Sequence, residues 1–336
     1  MKRRKQDSIY SRIEQDELYA RPNPPALPLK HEAGLADASF SVPDPVIGNT
    51  SLPAQEVARV PDTCVPSCPA EEAAAAEPEA IEPSASKAFP TSTRAMGETD
   101  IFQSFANSFV LVAAGTFLMG SPDCEAGRGG DETIHEVTIT KPFCIQNAAV
   151  TQALWKAVMG VNPASFQEGG DDLPVESVSW NECREFLRRL NSITEGKYRL
   201  PTEAEWEFAC RAGSSTAFAD GDISELYCGR DPVLREMGWY CGNSGRKTRP
   251  VGRKNPNGWG LFDMHGNVSE WCLDWYGSYP AESCIAPCGP ASGAGKVVRG
   301  GSWFGSAKNC RSASRFYWPP NSKSDFIGLR LVREPS

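Results

Sequence analysis

Histidine is scarce, with three among 336 residues. That excludes a site built from several imidazoles, whether a His-rich metal centre or a Ser/His/Asp triad. His135-Glu136 lacks a second histidine four residues on, so it is not the helical zinc motif. His31 falls near the start, and His265, alone among polar neighbours, reads as a structural donor. Basic charge is in deficit: 34 Lys+Arg stand against 42 Asp+Glu, giving −8 and a pI near 5.2. A generally basic nucleic-acid binder is thereby excluded. No run of about 18 apolar residues occurs, so no membrane span is expected. After MKRRK comes QDSIYSRIEQDELYA, where a signal peptide needs an apolar stretch, and no lipobox is visible; the expected compartment is the cytoplasm. A dinucleotide fingerprint is absent, and the Gly-rich stretch at 289–296 has Val297 where a phosphate loop needs Ser or Thr.

The first hundred residues also lack what a core needs. They contain no tryptophan and 3 of the 30 glycines, but 13 of the 27 prolines. They carry 10 Lys+Arg against 16 Asp+Glu. Residues 1–100 therefore read as a disordered Pro/Ala/Glu-rich extension, with a short amphipathic piece at IYSRIEQDELYA. All nine tryptophans lie beyond residue 150, enough to build one core in the remainder. Cysteine is plentiful, at twelve. In a reducing compartment these read as free thiols. Two C-x3-C pairs, Cys64/Cys68 and Cys284/Cys288, would make zinc only if they met in space.

From Phe109 the texture changes. FVLVAAGTFLMGS predicts two short strands around Ala114-Gly115, and HEVTITKPF alternates like a half-buried strand. Three helices follow. Thr151 caps the first. Ser179 with Glu182, and Thr202 with Glu205, form capping boxes for the others. Trp180, Cys183, Phe186, Leu187 and Leu190 share one face of the second helix; Trp206, Ala209 and Cys210 face inward on the third, with Gly213 beyond its end. Some 120 residues rich in Gly, Trp, Asn and Ser then show little regular pattern beyond short strands at KVVRGGSW and IGLRLV. The tryptophans can pack beneath them, so these loops are expected to be ordered.

GTFLMGS, VTQALWKAVMG, LPVESVSWNECREFLRRLN, YRLPTEAEWEFACRAG, NPNGWGLFDMHGNVSEW, VVRGGSW and IGLRLV occur in that order. Together they resemble the formylglycine-generating enzyme family, also called the sulfatase-modifying factor family, across about residues 107–334. The resemblance implies an α+β fold of the formylglycine-generating type of C-type lectin fold, with much ordered loop. It also implies calcium held by the Asp263 and Glu270 side chains and the Gly266 and Val268 carbonyls, a hard oxygen set. A looser second calcium set would be Asn243 and the Ser244 carbonyl.

Enzymes of this family oxidise a cysteine in a Cys-x-Pro-x-Arg segment to formylglycine with O₂. The chemistry uses two cysteines five residues apart, whose soft thiolates hold Cu(I). Here the second matches Cys310 and the first falls on Gly305. Ser302, beside the family's oxygen site, is present. The two-sulfur copper site is therefore expected to be lost, leaving Cys310 a small buried residue in a CRSA strand. The family's disulfides are also expected to be missing, because Leu331 stands opposite Cys210 and Arg315 replaces a further cysteine.

The last block, SWFGSAKNCRSASRFYWPPNSKSDFIGLRLV, also resembles variable proteins of diversity-generating retroelements, which display a binding surface. The corresponding surface positions are Phe304, Gly305, Ser306, Ser314, Phe316, Tyr317, Asn321, Asp325 and Phe326. Aromatics among small polar residues suit recognition of a protein or other macromolecular ligand. Three readings follow: a display module, a family oxidase with an altered site, or a structural or partner domain tethered by its N-terminal extension.

Overall fold

The computed structural model describes residues 97–335, so the readings made for the preceding segment, including Cys64/Cys68, lie outside the described residues. The described part opens on helix α1 (Glu98–Ala106), whose first residues the sequence places in the extension. It forms because Phe105 has somewhere to go: its ring meets Phe109 at 5.3 Å and Tyr198 at 5.0 Å. The Tyr198 contact lies far off in sequence, so no local pattern announces the helix.

The two expected strands are β1 (Phe109–Val112) and β2 (Gly115–Met119), followed by β3 (His135–Ile139) and β4 (Phe143–Gln146). The alternation read in HEVTI is real: its odd positions are buried. Helices α2 (Gln152–Met159), α3 (Trp180–Ile193) and α4 (Glu203–Arg211) start at the expected caps. Both capping boxes are closed, and the predicted apolar face of α3 is buried. All nine residues of α4 are buried, more than its pattern indicated, because it lies between sheets and carries buried ion pairs. Between α3 and α4 runs β5 (Tyr198–Arg199); α5 (Leu234–Met237) is a single turn in the loop-rich stretch.

The rest of the sheet comprises β6 (Ser269–Trp275), β7 (Cys284–Ile285), β8 (Lys296–Arg299), β9 (Arg315–Trp318), β10 (Ile327–Gly328) and β11 (Val332–Arg333). Three small sheets result, ordered β1-β4-β11-β5, β10-β6-β8-β9 and β2-β3-β7. Two main cores fill the space around them. One gathers α2, α3, Trp271, Trp303 and Phe326; the other gathers Phe143, Trp206, Phe208, Met264 and Val297. A third, smaller core contains Phe218, Leu234, Met237, Tyr240, Ala307 and Cys310.

Most buried glutamates are paired. Among buried glutamates, Glu132, Glu203, Glu205, Glu207 and Glu270 each meet an arginine. Such pairs are costly to break from one side because the remaining charge stays buried. Among the described residues no helix is long and apolar enough to cross a membrane.

Candidate functional site

The RGGSW segment turns sharply beneath β8. Gly300 and Gly301 have φ of 93° and 67°. A Cβ on Gly301 would lie 2.6 Å from the Cys310 sulfur, so only glycine fits there. Cys310 itself ends a short 3₁₀ helix, Ala307–Cys310, rather than lying in a strand; the strand begins at Arg315. Its thiol is fully buried, and burial pushes its pKa up to about 12. At neutral pH it is protonated, the unreactive form.

Gly305 is buried too. Its amide donates to the Ser302 carbonyl at 3.0 Å, and its carbonyl accepts the Cys241 amide at 3.0 Å. Ser302 is also fully buried. Position 305 thus supplies backbone to a turn and no ligand; Cys310 is sealed, and the nearby Cys210 thiol is likewise buried and pushed up to about 12. These residues do not fit copper.

His265 braces the same region. Burial lowers its pKa to about 4, so it is neutral. Its Nε2 accepts the Ala219 amide at 3.1 Å, which leaves Nδ1–H to donate to the Cys310 carbonyl at 2.8 Å. The structural role read for it holds.

The thiols are not all free. Cys228 and Cys241 form a disulfide, with Cα atoms 5.2 Å apart. The sequence offered no motif for it, since the loop between them folds back through contacts distant in sequence. Among the described residues no three Cys, His, Asp or Glu side chains form a metal-binding cluster.

The calcium positions divide. Asp263 is buried with φ 57°; its Oδ2 accepts the Gly252 amide at 2.8 Å, and its buried Oδ1 has no hydrogen-bond partner. Burial raises its carboxyl to about 6. An orphaned buried oxygen of this kind suits a hard cation. Glu270 is already engaged, by the Arg330 guanidinium at 2.9 Å and the Trp206 Nε1–H at 2.8 Å. At the second set, the Asn243 side chain accepts from Tyr240 N and donates to the Gly238 carbonyl. The Ser244 carbonyl accepts Arg249 Nε at 2.7 Å. Those atoms are used within the loop, so this second set does not fit calcium.

The nine display positions do not form one surface. Gly305, Ser306 and Phe326 are buried; Phe304, Ser314, Phe316, Tyr317 and Asp325 are half-buried; Asn321 is exposed. β9 has the burial pattern of a strand lined on both sides. Its alternation sends Phe316 and Trp318 to one face, against the first core, and Tyr317 to the other, where its ring lies 4.7 Å from Tyr276. Tyr317 is thereby separated from the rest.

The remaining aromatics converge. Phe304 stacks on Phe326 at 6.4 Å, Trp318 meets Phe326 edge-on at 5.8 Å, and Trp303 links Phe304 to Phe166 at 5.5 and 5.1 Å. Phe166 comes from a loop that the sequence reading did not connect to the last block. Beside this ring cluster, Ser269, Val298, Gly300-Gly301, Asn309, Ser314 and Phe316 line a small pocket. Two carboxylates border the rings. Glu176 accepts the Phe166 amide at 2.8 Å, and the Asp325 carbonyl accepts Trp303 Nε1–H at 2.9 Å. Desolvation raises both carboxyls, and Asp325 raises Glu176 further. Among the described residues neither has an arginine or lysine partner, unlike the other buried glutamates.

Comparison with known proteins agrees with this geometry. Residues 98–335 match the family described as "Sulfatase-modifying factor enzyme 1-like domain". The formylglycine-generating enzyme of Bos taurus is 33% identical over 232 residues, which is 62% of this chain and 59% of that protein. The chain thus spans less than two thirds of that relative. Among solved structures, Treponema denticola variable protein 1 superposes with a TM-score of 0.61 at 30% identity, covering 68% of this chain and 95% of that one. PvdO from Pseudomonas aeruginosa gives 0.59 at 31% identity, covering 68% and 94%. With the family's turn, helices and strands in order over most of its length, this chain belongs to the sulfatase-modifying factor family.

Proposed function

We propose that this domain has lost the family's two-thiol copper chemistry and works as a binding module. The observation that carries the reading is the contrast within one segment. The position for the first thiol is a buried glycine and the second thiol is sealed, while aromatic rings gather beside them. Rings offer large contact area at low entropic cost. The partner that suits them is a protein or other macromolecule presenting an apolar or cationic side chain. A cation would meet ring faces together with the half-buried Asp325 carboxylate, which has no ion-pair partner among the described residues. The similarity to a protein titled a variable protein supports the same reading.

The test has two arms. Incubation with Cu(I), O₂, a reductant and a Cys-x-Pro-x-Arg peptide is expected to leave the peptide mass unchanged, while a two-cysteine family enzyme converts it. Conversion by this chain would return it to the oxidases. In the second arm, peptides selected from a random display library are expected to bind Phe304→Ala and Asp325→Asn at least about tenfold more weakly. Equal binding by the variants would remove this face from the function.

A structural calcium at Asp263 belongs to the same proposal, with the Gly266 and Val268 carbonyls as further ligands and Glu270 sharing its carboxylate with Arg330. Excess chelator is expected to lower Tm by about 5 °C, by mass action on the folded state. Asp263→Ala is expected to abolish the difference between calcium and chelator. A Tm indifferent to both would mean that Asp263 is a buried acid and nothing more.

A further inference from the structure

We infer that the Cys228–Cys241 disulfide is a redox latch over Cys310: it holds the 224–241 loop against the short helix bearing that thiol, and its reduction makes Cys310 reactive. The inference stands apart from the binding reading and uses other residues. Three backbone contacts join the loop to the helix segment. The Ala307 amide donates to the Tyr227 carbonyl at 2.8 Å, the Lys308 amide to the Leu226 carbonyl at 3.0 Å, and the Cys241 amide to the Gly305 carbonyl at 3.0 Å. The disulfide ties the Leu226–Cys228 strand of the loop to Cys241, so the contacts on both sides of the helix are coupled through one covalent bond.

Gly301 lies against the Cys310 sulfur on one side and His265 holds its carbonyl, while the loop supplies half of the small core on the other. Of the six buried residues in the third core, Leu234, Met237 and Tyr240 come from between the two bridged cysteines. The loop's one regular element is the four-residue α5. Its end beyond Tyr240 is anchored independently, by Ser244 Oγ on the Trp303 carbonyl at 2.7 Å. The Leu226–Cys228 end is held by the two amides of the helix's first turn, by the disulfide, by Lys308 over the Tyr227 ring, and by Asp231, which accepts the Ser224 and Glu225 amides at 2.9 and 3.1 Å within the loop itself. Most of these bonds lie within the loop itself, so the loop can open as a local unit before the rest of the fold does. Removing a cross-link enlarges its unfolded freedom. Cys228 is exposed and Cys241 half-buried, so a reductant can reach the bond.

The chemistry balances with a dithiol as reductant. Two electrons and two protons pass to the Cys228–Cys241 sulfurs, giving two thiols, and the reductant becomes a disulfide. The Leu226–Cys228 strand can then lift from Ala307 and Lys308, loosening the turn that ends at Cys310. Once solvated, the Cys310 thiol loses the burial that holds it at about 12, and its thiolate population rises. In an oxidising compartment the latch is closed; in a reducing one it is open.

The experiment labels the full chain with N-ethylmaleimide, before and after mild dithiol reduction, and reads each cysteine by peptide mass. Cys144, Cys183 and Cys272 are buried elsewhere and serve as internal controls. Reduction is expected to raise Cys310 labelling at least about tenfold while those three stay slow, the signature of a local opening. An unchanged Cys310 rate overturns the inference. A common rise at all four sites overturns it equally, since the disulfide would then be a general staple. The Cys228→Ser/Cys241→Ser double variant is expected to label at Cys310 without reductant; slow labelling in a folded double variant again counts against the latch. If that variant does not fold, the reduced wild type decides.

Discussion

Replacing Arg330 by methionine is expected to cost about 3–5 kcal/mol of stability, the range for stranding a buried charge. Arg330 is fully buried. Its Nε and Nη2 donate to both oxygens of Glu270 at 2.9 Å, its Nη1 to the Gln146 carbonyl at 3.0 Å and its Nη2 to the Phe262 carbonyl at 2.8 Å. The guanidinium therefore joins β4, the 257–268 turn and β6 at one point. Methionine of similar length leaves Glu270 with the Trp206 indole as its remaining donor, and orphans two carbonyls. Lysine keeps the charge but not the planar fork, so Arg330→Lys should fall between wild type and methionine. Adding Glu270→Leu to Arg330→Met should recover at least half the loss, because removing both charges removes the unpaired one. Urea titration at fixed calcium reads all four proteins. A loss within about 1 kcal/mol for Arg330→Met would mean that water or rearrangement rescues Glu270.

Asp274→Asn is expected to do the opposite and to stabilise the protein at alkaline pH. Burial, reinforced by the Glu203 charge, raises the Asp274 carboxyl to about 7. Its Oδ2 accepts the Glu203 amide at 2.9 Å at the start of α4, a bond that an asparagine oxygen can keep. In the unfolded chain the group titrates near the ordinary value of about 3.9. The folded state therefore holds a proton that the unfolded state releases. The resulting stabilisation is complete below pH about 4 and is lost as pH rises through about 7. Above that, wild type carries a buried carboxylate beside Glu203 and Glu205, and asparagine does not. The variant should gain on the order of 2–3 kcal/mol at pH 8 and nothing near pH 4. Thermal melts across that range test it. A gain independent of pH would mean that the start of α4 holds Asp274 ionised throughout.

Much of the architecture is legible in the chain because its signals are local. Thr151, Ser179 and Thr202 cap helices through bonds to amides three residues on, and such bonds need nothing from the rest of the protein. The alternation of β3 is likewise carried within five residues. The family blocks placed the turn at Gly300-Gly301 and showed that position 305 lacks a thiol. Helix α1 was missed because its one deep anchor, Phe105, finds its partners in β1 and β5.

The composition of the candidate site depends on contacts across the chain. Sequence placed nine residues on one surface; pairing of β9 with β8 divided them, turning Tyr317 toward Tyr276 and burying Phe326 under Phe304 and Trp318. The rings that complete the face, Phe166 and Trp303, and the carboxylate of Glu176 join it from other loops. The Cys228–Cys241 bond exists because a loop of irregular backbone returns on itself. Caps, alternation and missing residue types are properties of short stretches, so the amino-acid sequence alone determined the helices, the early strands and the absence of a second thiol. Burial, pairing and sidedness depend on which distant segments share a volume, and only the tertiary structure decided those.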